Sequence, residues 1–145
     1  MADEIAVQFV HAWDEEEIAA LYEAGGWWKE EYKTEDLRHL IWGSFAFVVA
    51  IDIKTGRAIG MGRVIADGVS DGYIQDLVVL PQYRKSGVGT QIVAALVNRC
   101  LQSGITWIGL IAEPDTEKFY RPLGFHPMDR HVPLIFHGGS DAFPG

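Results

Sequence analysis

The sequence predicts a mixed α/β fold of the α+β kind, with a largely antiparallel sheet in its first half. The 145 residues are 48% hydrophobic, enough for one core, so we expect 1–145 to form a single domain. Runs rich in β-branched and aromatic residues alternate in mid-chain with glycine and aspartate turns. A helical apolar pattern over 90–101 separates two such runs, which indicates a parallel crossover.

The first forty residues predict two helices before any strand. Asp14 and Glu17 have the spacing of a capping box, and apolar residues follow at helical intervals until Gly25-Gly26 ends the first helix. Thr34 is placed to cap a second, shorter helix. We therefore expect the chain to begin with helices and to enter the sheet only near residue 44.

Strands and helices then follow in a regular order. A hairpin turn at 54–56 joins the first two strands, and the predicted strands are 44–53, 57–66, 73–80, 105–112 and 131–137. One face of the 90–101 helix is apolar, and it consists of Ile92, Val93, Leu96, Val97, Cys100 and Leu101. A short helix over 115–125 is closed by Gly124.

Charge and composition exclude several classes of protein. A formal net charge of -8 argues against nucleic-acid binding, which needs a basic surface. No run approaches the roughly 20 apolar residues of a membrane span, and the acidic N-terminus does not resemble a signal peptide. The single cysteine, Cys100, and scattered histidines at His126, His131 and His137 predict neither a disulfide nor a metal site. We therefore expect a cytoplasmic protein without metal.

A glycine loop at 84–90 joins a predicted strand to the start of a helix. Gly87 and Gly89 allow a ligand to approach the free N–H groups of the helix, and Arg84 and Lys85 add positive charge. These features predict an anion site, most naturally for phosphate. The loop is neither a Walker P-loop, because no lysine follows the second glycine, nor a dinucleotide fingerprint, because a third glycine is absent. A glycine turn with unrelated cations is the alternative.

The spacing R-x-x-G-x-G at Arg84, Gly87 and Gly89 resembles the acetyl-CoA pyrophosphate loop of the GCN5-related N-acetyltransferase (GNAT) superfamily. The preceding segment DLVVLP matches the strand that leads into this loop. A second motif downstream, KFYRPLGF, resembles the family's F-Y-x-x-x-G-F helix and turn. The resemblance is specific over 73–126, architectural over 44–66 and vague elsewhere.

This resemblance implies a sheet with helices on both faces and a splayed central pair of parallel strands, 73–80 and 105–112. Acetyl-CoA would bind in the splay as cosubstrate. The main chain of Leu77, Val78 and Val79 would pair with its acetyl and pantetheine groups. The pyrophosphate would be held by Arg84, Lys85, Ser86, Gly87, Val88, Gly89 and Thr90. Phe119 would pack on the pantetheine arm, or else in the core.

The resemblance also implies catalytic roles. Tyr120 matches the family's general acid: a phenol with a pKa near ~10 is protonated at pH 7 and can supply a proton to the CoA thiolate. The alternative is a hydroxyl bonded to backbone. The base is less defined, because the strand after the CoA helix has no glutamate. Asp76 is our preferred relay anchor, with an ordinary salt bridge as its alternative, and Glu113 is the other nearby carboxylate.

Aromatic residues in the loop after the first helix predict the acceptor site. Trp27, Trp28 and Tyr32 can bind a cation or a flat group, or can pack in the core, and Arg63 is a substrate contact or a buried ion-pair partner. We expect an N-acetyltransferase that acts on a small-molecule primary amine, and a homodimer because relatives often dimerise. The alternatives are a non-catalytic CoA-binding sensor or assembly domain, and transfer of another acyl group.

Overall fold

The computed structural model describes residues 4–137, which divide into two compact units, 4–110 and 111–137. The first unit holds the whole sheet and the three long helices. The second holds a short helix and a 3₁₀ turn. The expectation of a single domain stays a prediction.

A five-stranded sheet in the order β1-β2-β3-β4-β5 forms the first unit. The first four strands pair antiparallel, and β5 pairs parallel to β4. Their bounds are β1 Ile5–Phe9, β2 Ala46–Asp52, β3 Arg57–Ala66, β4 Asp71–Val79 and β5 Trp107–Gly109. The mixed sheet and its parallel crossover confirm the predicted fold class.

Helices cover both faces of this sheet, as predicted. Helices α1 (Glu15–Ala24) and α2 (Asp36–Gly43) pack on the face that carries Met61 and Val78. Helix α3 (Val88–Gln102) lies on the opposite face, where a Cβ added at Gly62 would meet Ile92 at 2.9 Å. The close approach of α3 to the sheet therefore requires glycine at this position. With both of its faces covered, β2 is buried along its full length.

Local signals predicted α1 and the first hairpin correctly. The Asp14 carboxylate accepts the Glu17 N–H at 3.0 Å, and α1 ends at Gly25. Gly56, with a φ of 72°, closes the β2–β3 turn by donating to the Asp52 carbonyl at 2.7 Å. The reason is that capping boxes and hairpin turns depend on neighbouring residues alone.

Four expectations about the elements were wrong. The chain enters the sheet first through β1, which precedes both helices and which local pattern did not indicate. Helix α2 has Glu35 at its N-cap and no side-chain cap, so Thr34 contributes only its carbonyl. Leu101 is 50% exposed, beyond the buried stripe of α3. Strand β5 spans three residues rather than 105–112 because it pairs with β4 only there.

The second unit contains helix α4 (Glu117–Tyr120) followed by the 3₁₀ turn Arg121–Leu123. Gly124, with a φ of 100°, ends this turn in the left-handed region, as its position predicted. The strand predicted at 131–137 does not form, and Leu134 is 89% exposed. Its β-branched residues give it strand propensity, but no neighbouring strand is paired with it.

Residues 4–137, the described part of the chain, lack two kinds of feature. No helix in this part of the chain is long and apolar enough to cross a bilayer. No group of three or more histidine, cysteine, aspartate or glutamate side chains gathers there in a way that could hold a metal ion.

Candidate active site

The glycine loop, residues 84–90, lies between a 3₁₀ turn, Pro81–Tyr83, and the first turn of α3. Gly87 is the N-cap of α3 with a φ of 86°, and Lys85 has a φ of 65°. A Cβ added at Gly87 would meet no atom within 4 Å, so the need for glycine comes from its backbone angle rather than from space.

The first turn of α3 presents N–H groups toward this loop. No side chain caps the helix, and its first internal hydrogen bond runs from the Gln91 N–H to the Gly87 carbonyl at 3.1 Å. The N–H groups of Val88, Gly89 and Thr90 therefore precede any acceptor within the helix and lie at the positive end of its dipole. This arrangement suits an anion, and the pyrophosphate role of the loop stays a prediction.

Hydrogen bonds tie the loop to the sheet. Arg84 Nε donates to the Val79 carbonyl at 2.8 Å, at the end of β4. Ser86 Oγ donates to the Tyr83 carbonyl at 2.5 Å, and the Tyr83 hydroxyl donates to Asp52 Oδ2 at 2.6 Å. The pKa of the Asp52 carboxyl is lowered, and the hydrogen bond from Tyr83 is the largest cause. The loop thus has anchors on β4 and at the end of β2.

The C-terminal end of β4, which leads into the loop, extends past the residues of β4 that pair with β5. Within residues 4–110, β5 pairs only with Asp71–Tyr73. The Leu80 N–H donates to the Ile59 carbonyl on β3 at 2.8 Å, and because successive strand residues alternate, the main chain of Val79 faces the opposite edge. This is the splay that the resemblance implied. The cofactor contacts of Leu77, Val78 and Val79 stay predictions.

A β-bulge interrupts β4 just before that segment. Met61 pairs with Val78 and Arg63 with Gln75, so two residues of β4, Asp76 and Leu77, oppose one residue of β3. Asp76 has a φ of 61°, in the left-handed region that aspartate tolerates better than most residues. The bulge changes the direction of the side chains that follow it.

The side chain of Asp76 lies at the centre of a hydrogen-bonded cluster. Its Oδ2 accepts from the Tyr22 hydroxyl at 2.6 Å and from Arg63 Nε at 2.7 Å. Arg63 also donates to Gln75 Oε1 at 3.3 Å and to Ser44 Oγ at 3.5 Å. The salt bridge named as the alternative for Asp76 is therefore present, and its catalytic role stays a prediction. Burial, and then the Asp76 charge, raise the pKa of Tyr22 far above its usual value.

An open cavity of about 360 Å³ adjoins this cluster. The structure brings the four predicted acceptor residues to it, together with two residues of the cluster, so that its lining includes Tyr22, Trp27, Trp28, Tyr32, Arg63 and Asp76. The rings of Trp28 and Tyr32 meet edge to face with centroids 5.5 Å apart, and the Trp28 ring lies 6.5 Å from that of Tyr22. Trp27 and Trp28 also pack against the core, as the alternative interpretation expected, and their role in binding an acceptor stays a prediction.

Tyr120 belongs to the second unit, in which it contacts two other aromatic rings. Its ring meets that of Phe119 edge to face at 4.9 Å and that of Phe125 at 5.8 Å. Burial, with a smaller contribution from the Glu113 charge, raises the pKa of its hydroxyl. A raised pKa keeps the phenol protonated at neutral pH, as a proton donor requires. Phe119 is 36% exposed, which leaves part of its ring accessible.

Comparison with known proteins identifies the family. The model of the acetyltransferase (GNAT) family matches residues 5–125. The chain belongs to this family. The match includes the glycine loop, the splayed strands and the helix of Tyr120, and it confirms the resemblance that the two motifs indicated.

Individual GNAT proteins show the extent of the likeness. GCN5-related N-acetyltransferase 1, chloroplastic, of Arabidopsis thaliana is 39% identical over 72 residues, which cover 50% of this chain and 36% of the relative. The chain thus spans little more than a third of that relative's length. A probable acetyltransferase from methicillin-resistant Staphylococcus aureus has a TM-score of 0.79 at 24% identity, over 94% of this chain and 100% of its own.

A third protein, AAC(6')-Iy, was solved with the bisubstrate analogue CoA-S-monomethyl-acetylneamine. Its TM-score is 0.70 at 18% identity, over 93% of this chain and 99% of its own. At such low identity the likeness of the two solved structures shows a shared GNAT fold alone.

Sequence reasoning missed several residues of the candidate site. It treated Tyr22 only as an apolar helix residue and did not assign Asp52, Tyr83 or Gln75 to the site. A tyrosine on the apolar face of α1 was a usable signal, because a buried hydroxyl needs a partner. The partner itself, Asp76, is 54 positions away, and only the fold identifies it.

Proposed function

We propose that the chain is an acetyl-CoA-dependent N-acetyltransferase that transfers the acetyl group directly to the primary amine of a small molecule. Membership of the GNAT family supports this proposal. The observation that carries it is the left-handed Gly87 at the uncapped start of α3, next to Arg84 and Lys85. Main-chain N–H groups, a helix dipole and two cations meet there, and together they suit the pyrophosphate of coenzyme A.

The open edge of β4 supplies the second part of the proposed cosubstrate site. The acetyl carbonyl and the pantetheine amides need hydrogen-bond partners once they are buried, because an unmatched amide costs about 1–3 kcal/mol. Within the proposed segment Leu77, Val78 and Val79, the main chain of Val79 faces the open edge beyond the β5 pairing and is the proposed partner, whereas that of Val78 faces β3 by the same alternation. The same strand leads through Pro81–Tyr83 into the glycine loop, so one continuous segment would bind the thioester and the phosphates.

In the proposed reaction the amine nitrogen attacks the thioester carbonyl carbon. A C–N bond forms, the C–S bond breaks, and the amine gives up one proton. Tyr120 protonates the leaving thiolate, and its raised pKa keeps that proton available at neutral pH. The products are an N-acetyl amide and free coenzyme A.

Asp76 is the proposed anchor of the path by which the amine loses its proton. Its Oδ2 accepts hydrogen bonds from Tyr22 and Arg63, and the adjacent guanidinium stabilises the carboxylate. Because Oδ2 already accepts two hydrogen bonds, we assign to this carboxylate the orientation of an ordered water in a relay rather than direct proton removal.

The acceptor is proposed to be a small molecule because the aromatic cavity lies at the lower end of the range for small-molecule sites, about 300–1,000 Å³. The net charge of -8 gives no support to a nucleic-acid partner. The homodimer, the cytoplasmic location and the absence of a metal requirement are further parts of the proposal.

Thermal unfolding with acetyl-CoA tests the cosubstrate assignment. At about 100 times the dissociation constant, the ligand should add about 2.7 kcal/mol and raise the midpoint by several degrees. Free coenzyme A should protect to a similar degree, because most of the proposed contacts are to the carrier.

The matched variants are Gly87→Glu and Gly56→Glu. Both glycines have a positive φ and open space around them, so the two changes impose a similar backbone strain of about 1–2 kcal/mol. Only Gly87→Glu places a carboxylate at the proposed phosphate site, so it alone should lose protection by acetyl-CoA. Full protection of a folded Gly87→Glu protein would refute the assignment of the loop.

A further inference from the structure

The aromatic cavity has a composition that selects among amines. It lies within residues 4–110, and its lining comes from the cluster of Asp76, from the loop after α1 and from helix α2. Besides the rings already described, Leu37 and Leu40 of α2 line it, together with Lys33 and Asp36. The charge and hydrogen bonding of these groups decide what kind of chemical group the acceptor amine can be attached to.

The polar groups of the Asp76 cluster, on which the cavity borders, are used in hydrogen bonds of the protein itself. Arg63 directs Nε, Nη1 and Nη2 to acceptors on three other residues, and Asp76 Oδ2 accepts from both Tyr22 and Arg63. An acceptor with many hydroxyl or ammonium groups would have to break these bonds or leave its own groups unpaired. Either outcome is costly in a partly buried site.

The formal charge of the cavity also disfavours polycations. Its two carboxylates, Asp36 and Asp76, are matched by the two cations Lys33 and Arg63, so their formal charges sum to zero. The net charge of -8 on the whole chain is therefore not concentrated in this cavity. A ligand with several positive charges gains little attraction there, whereas a single ammonium can be held by one carboxylate or one aromatic ring.

The remaining lining is aromatic and aliphatic. Trp28 is half-buried, Tyr32 is 46% exposed, and Leu37 and Leu40 extend the apolar surface beside them. A flat ring gains more from such walls than a flexible alkyl chain does, because it adds ring–ring contacts to the burial of apolar area and loses fewer rotamers.

We propose that the acceptor is a primary amine with one positive charge carried on a flat aromatic body, that is, an arylalkylamine. The ring lies against Trp28 and Tyr32, and the amine points toward the cluster of Asp76. This inference rests on the proposed function, because it names the acceptor class of the same reaction. The charged amine loses two protons as its nitrogen gains the acetyl group. One leaves for solvent through the relay at Asp76 before attack, and the loss of the second is balanced by the proton that Tyr120 gives to the CoA sulfur.

The test compares tryptamine with putrescine and with a short peptide that contains lysine, using thiol release with saturating acetyl-CoA. We expect kcat/KM for tryptamine to exceed that for either competitor by about tenfold or more. Trp28→Ala should lower kcat/KM for tryptamine by about tenfold and should lower it less for putrescine, so that the preference for tryptamine shrinks. Trp42→Ala is the matched control, because Trp42 lies on α2, is 71% exposed and is not part of the cavity lining.

Binding is measured in parallel by calorimetry, with tryptamine or putrescine titrated into the protein saturated with coenzyme A. If tryptamine binds more tightly than putrescine and Trp28→Ala weakens that binding, the inference is supported. This holds even when no thiol is released, because the absence of thiol release would refute only the proposed function. Equal or tighter binding and faster turnover of putrescine or the peptide would overturn the inference and leave the acetyltransferase assignment standing. An equal effect of Trp28→Ala and Trp42→Ala on tryptamine would also overturn it.

Discussion

The hydroxyl of Tyr83 donates a hydrogen bond of 2.6 Å to Oδ2 of Asp52, across 31 positions of the chain. Tyr83 immediately precedes the glycine loop, and Asp52 is the last residue of β2. Asp52 is buried and also accepts the Lys54 N–H at 3.0 Å, so the β2–β3 turn holds it in place. The bond thus connects the proposed phosphate site to a buried, hydrogen-bonded part of the sheet.

Tyr83→Phe should weaken the binding of acetyl-CoA by about three- to tenfold, a loss of roughly 1 kcal/mol, because the loop loses one of its anchors. The chemical step does not involve Tyr83, so kcat should stay within about twofold. S-acetylpantetheine lacks the pyrophosphate, and its kcat/KM should not change. Steady-state kinetics with the two thioesters measures this difference.

Asp52→Asn tests the same anchor from the other end of the Tyr83 hydrogen bond, and Asp67→Asn is its matched control. Asp67 organises the turn between β3 and β4 by accepting from Val69, Ser70 N–H and the Ser70 hydroxyl, and it makes no bond to the glycine loop. Asp52→Asn should therefore repeat the effect of Tyr83→Phe, and Asp67→Asn should not. An equal loss with acetyl-CoA and S-acetylpantetheine would mean that Tyr83 acts on the whole fold rather than on the loop.

Tyr120→Phe should lower kcat by about 100-fold, because it removes the proposed proton donor to the thiolate. Protection by acetyl-CoA in thermal unfolding should persist, because the phenol hydroxyl is not part of the proposed carrier site. Thiol release and thermal midpoints measured on the same preparation separate the two effects. Turnover that is unchanged in the variant would favour the alternative for Tyr120, a hydroxyl bonded to backbone that takes no part in the reaction.

The raised pKa of Tyr120 also predicts the alkaline limb of the pH profile. Burial favours the neutral phenol, so the donor loses its proton only above the usual value near ~10. The wild-type kcat should therefore show no decline from loss of this proton between pH 7 and about 10. A decline centred near pH 8 that disappears in Tyr120→Phe would contradict the assigned role.

Arg63→Met and Asp76→Asn should each destabilise the protein by about 1–3 kcal/mol, since each leaves the partner's charge without its counterion in a largely buried place. The two side chains are 15% and 19% exposed. Asparagine is chosen at 76 because it tolerates the left-handed φ that the bulge requires. Urea unfolding of the singles and the double mutant should show that the double costs less than the sum of the singles.

The exposed pair Arg121–Glu117 is the control for the double-mutant cycle of Arg63 and Asp76. Its side chains are 54% and 53% exposed, and such i,i+4 pairs contribute about 0.3–0.5 kcal/mol. Glu117→Gln should thus change the free energy of unfolding by less than about 0.5 kcal/mol. Strict additivity of the Arg63 and Asp76 changes would show that their contact contributes nothing to stability.

Tyr22→Phe should change how the free energy of unfolding varies with pH in the alkaline range. Because the pKa of Tyr22 is raised in the folded state, its contribution to stability is complete below about pH 10 and is lost as the pH rises above that value. The wild type should lose up to about 1.4 kcal/mol per pH unit from this residue, and the variant should not. The stability difference between them should therefore narrow between pH 9 and 11, as measured by urea unfolding. A constant difference would contradict the assigned shift.

The sequence by itself determined the parts of the protein that depend on neighbouring residues. The capping box at Asp14 and Glu17, the hairpin closed by Gly56 and helix α3 all follow from local spacing, and each lies where it was predicted. The family followed from two motifs for the same reason, since the glycine loop and the turn at Gly124 are short continuous segments.

Only the tertiary structure decided which distant residues meet. Tyr22 reaches Asp76 across 54 positions and Tyr83 reaches Asp52 across 31, and neither pair has a local signature. The bulge at Asp76, the pairing of β1 with β2 and the short β5 also depend on strand register, which local propensity does not specify. The conformation of a loop is encoded in adjacent residues, whereas the partner of a buried polar group is set by the packing of elements that are far apart in the chain.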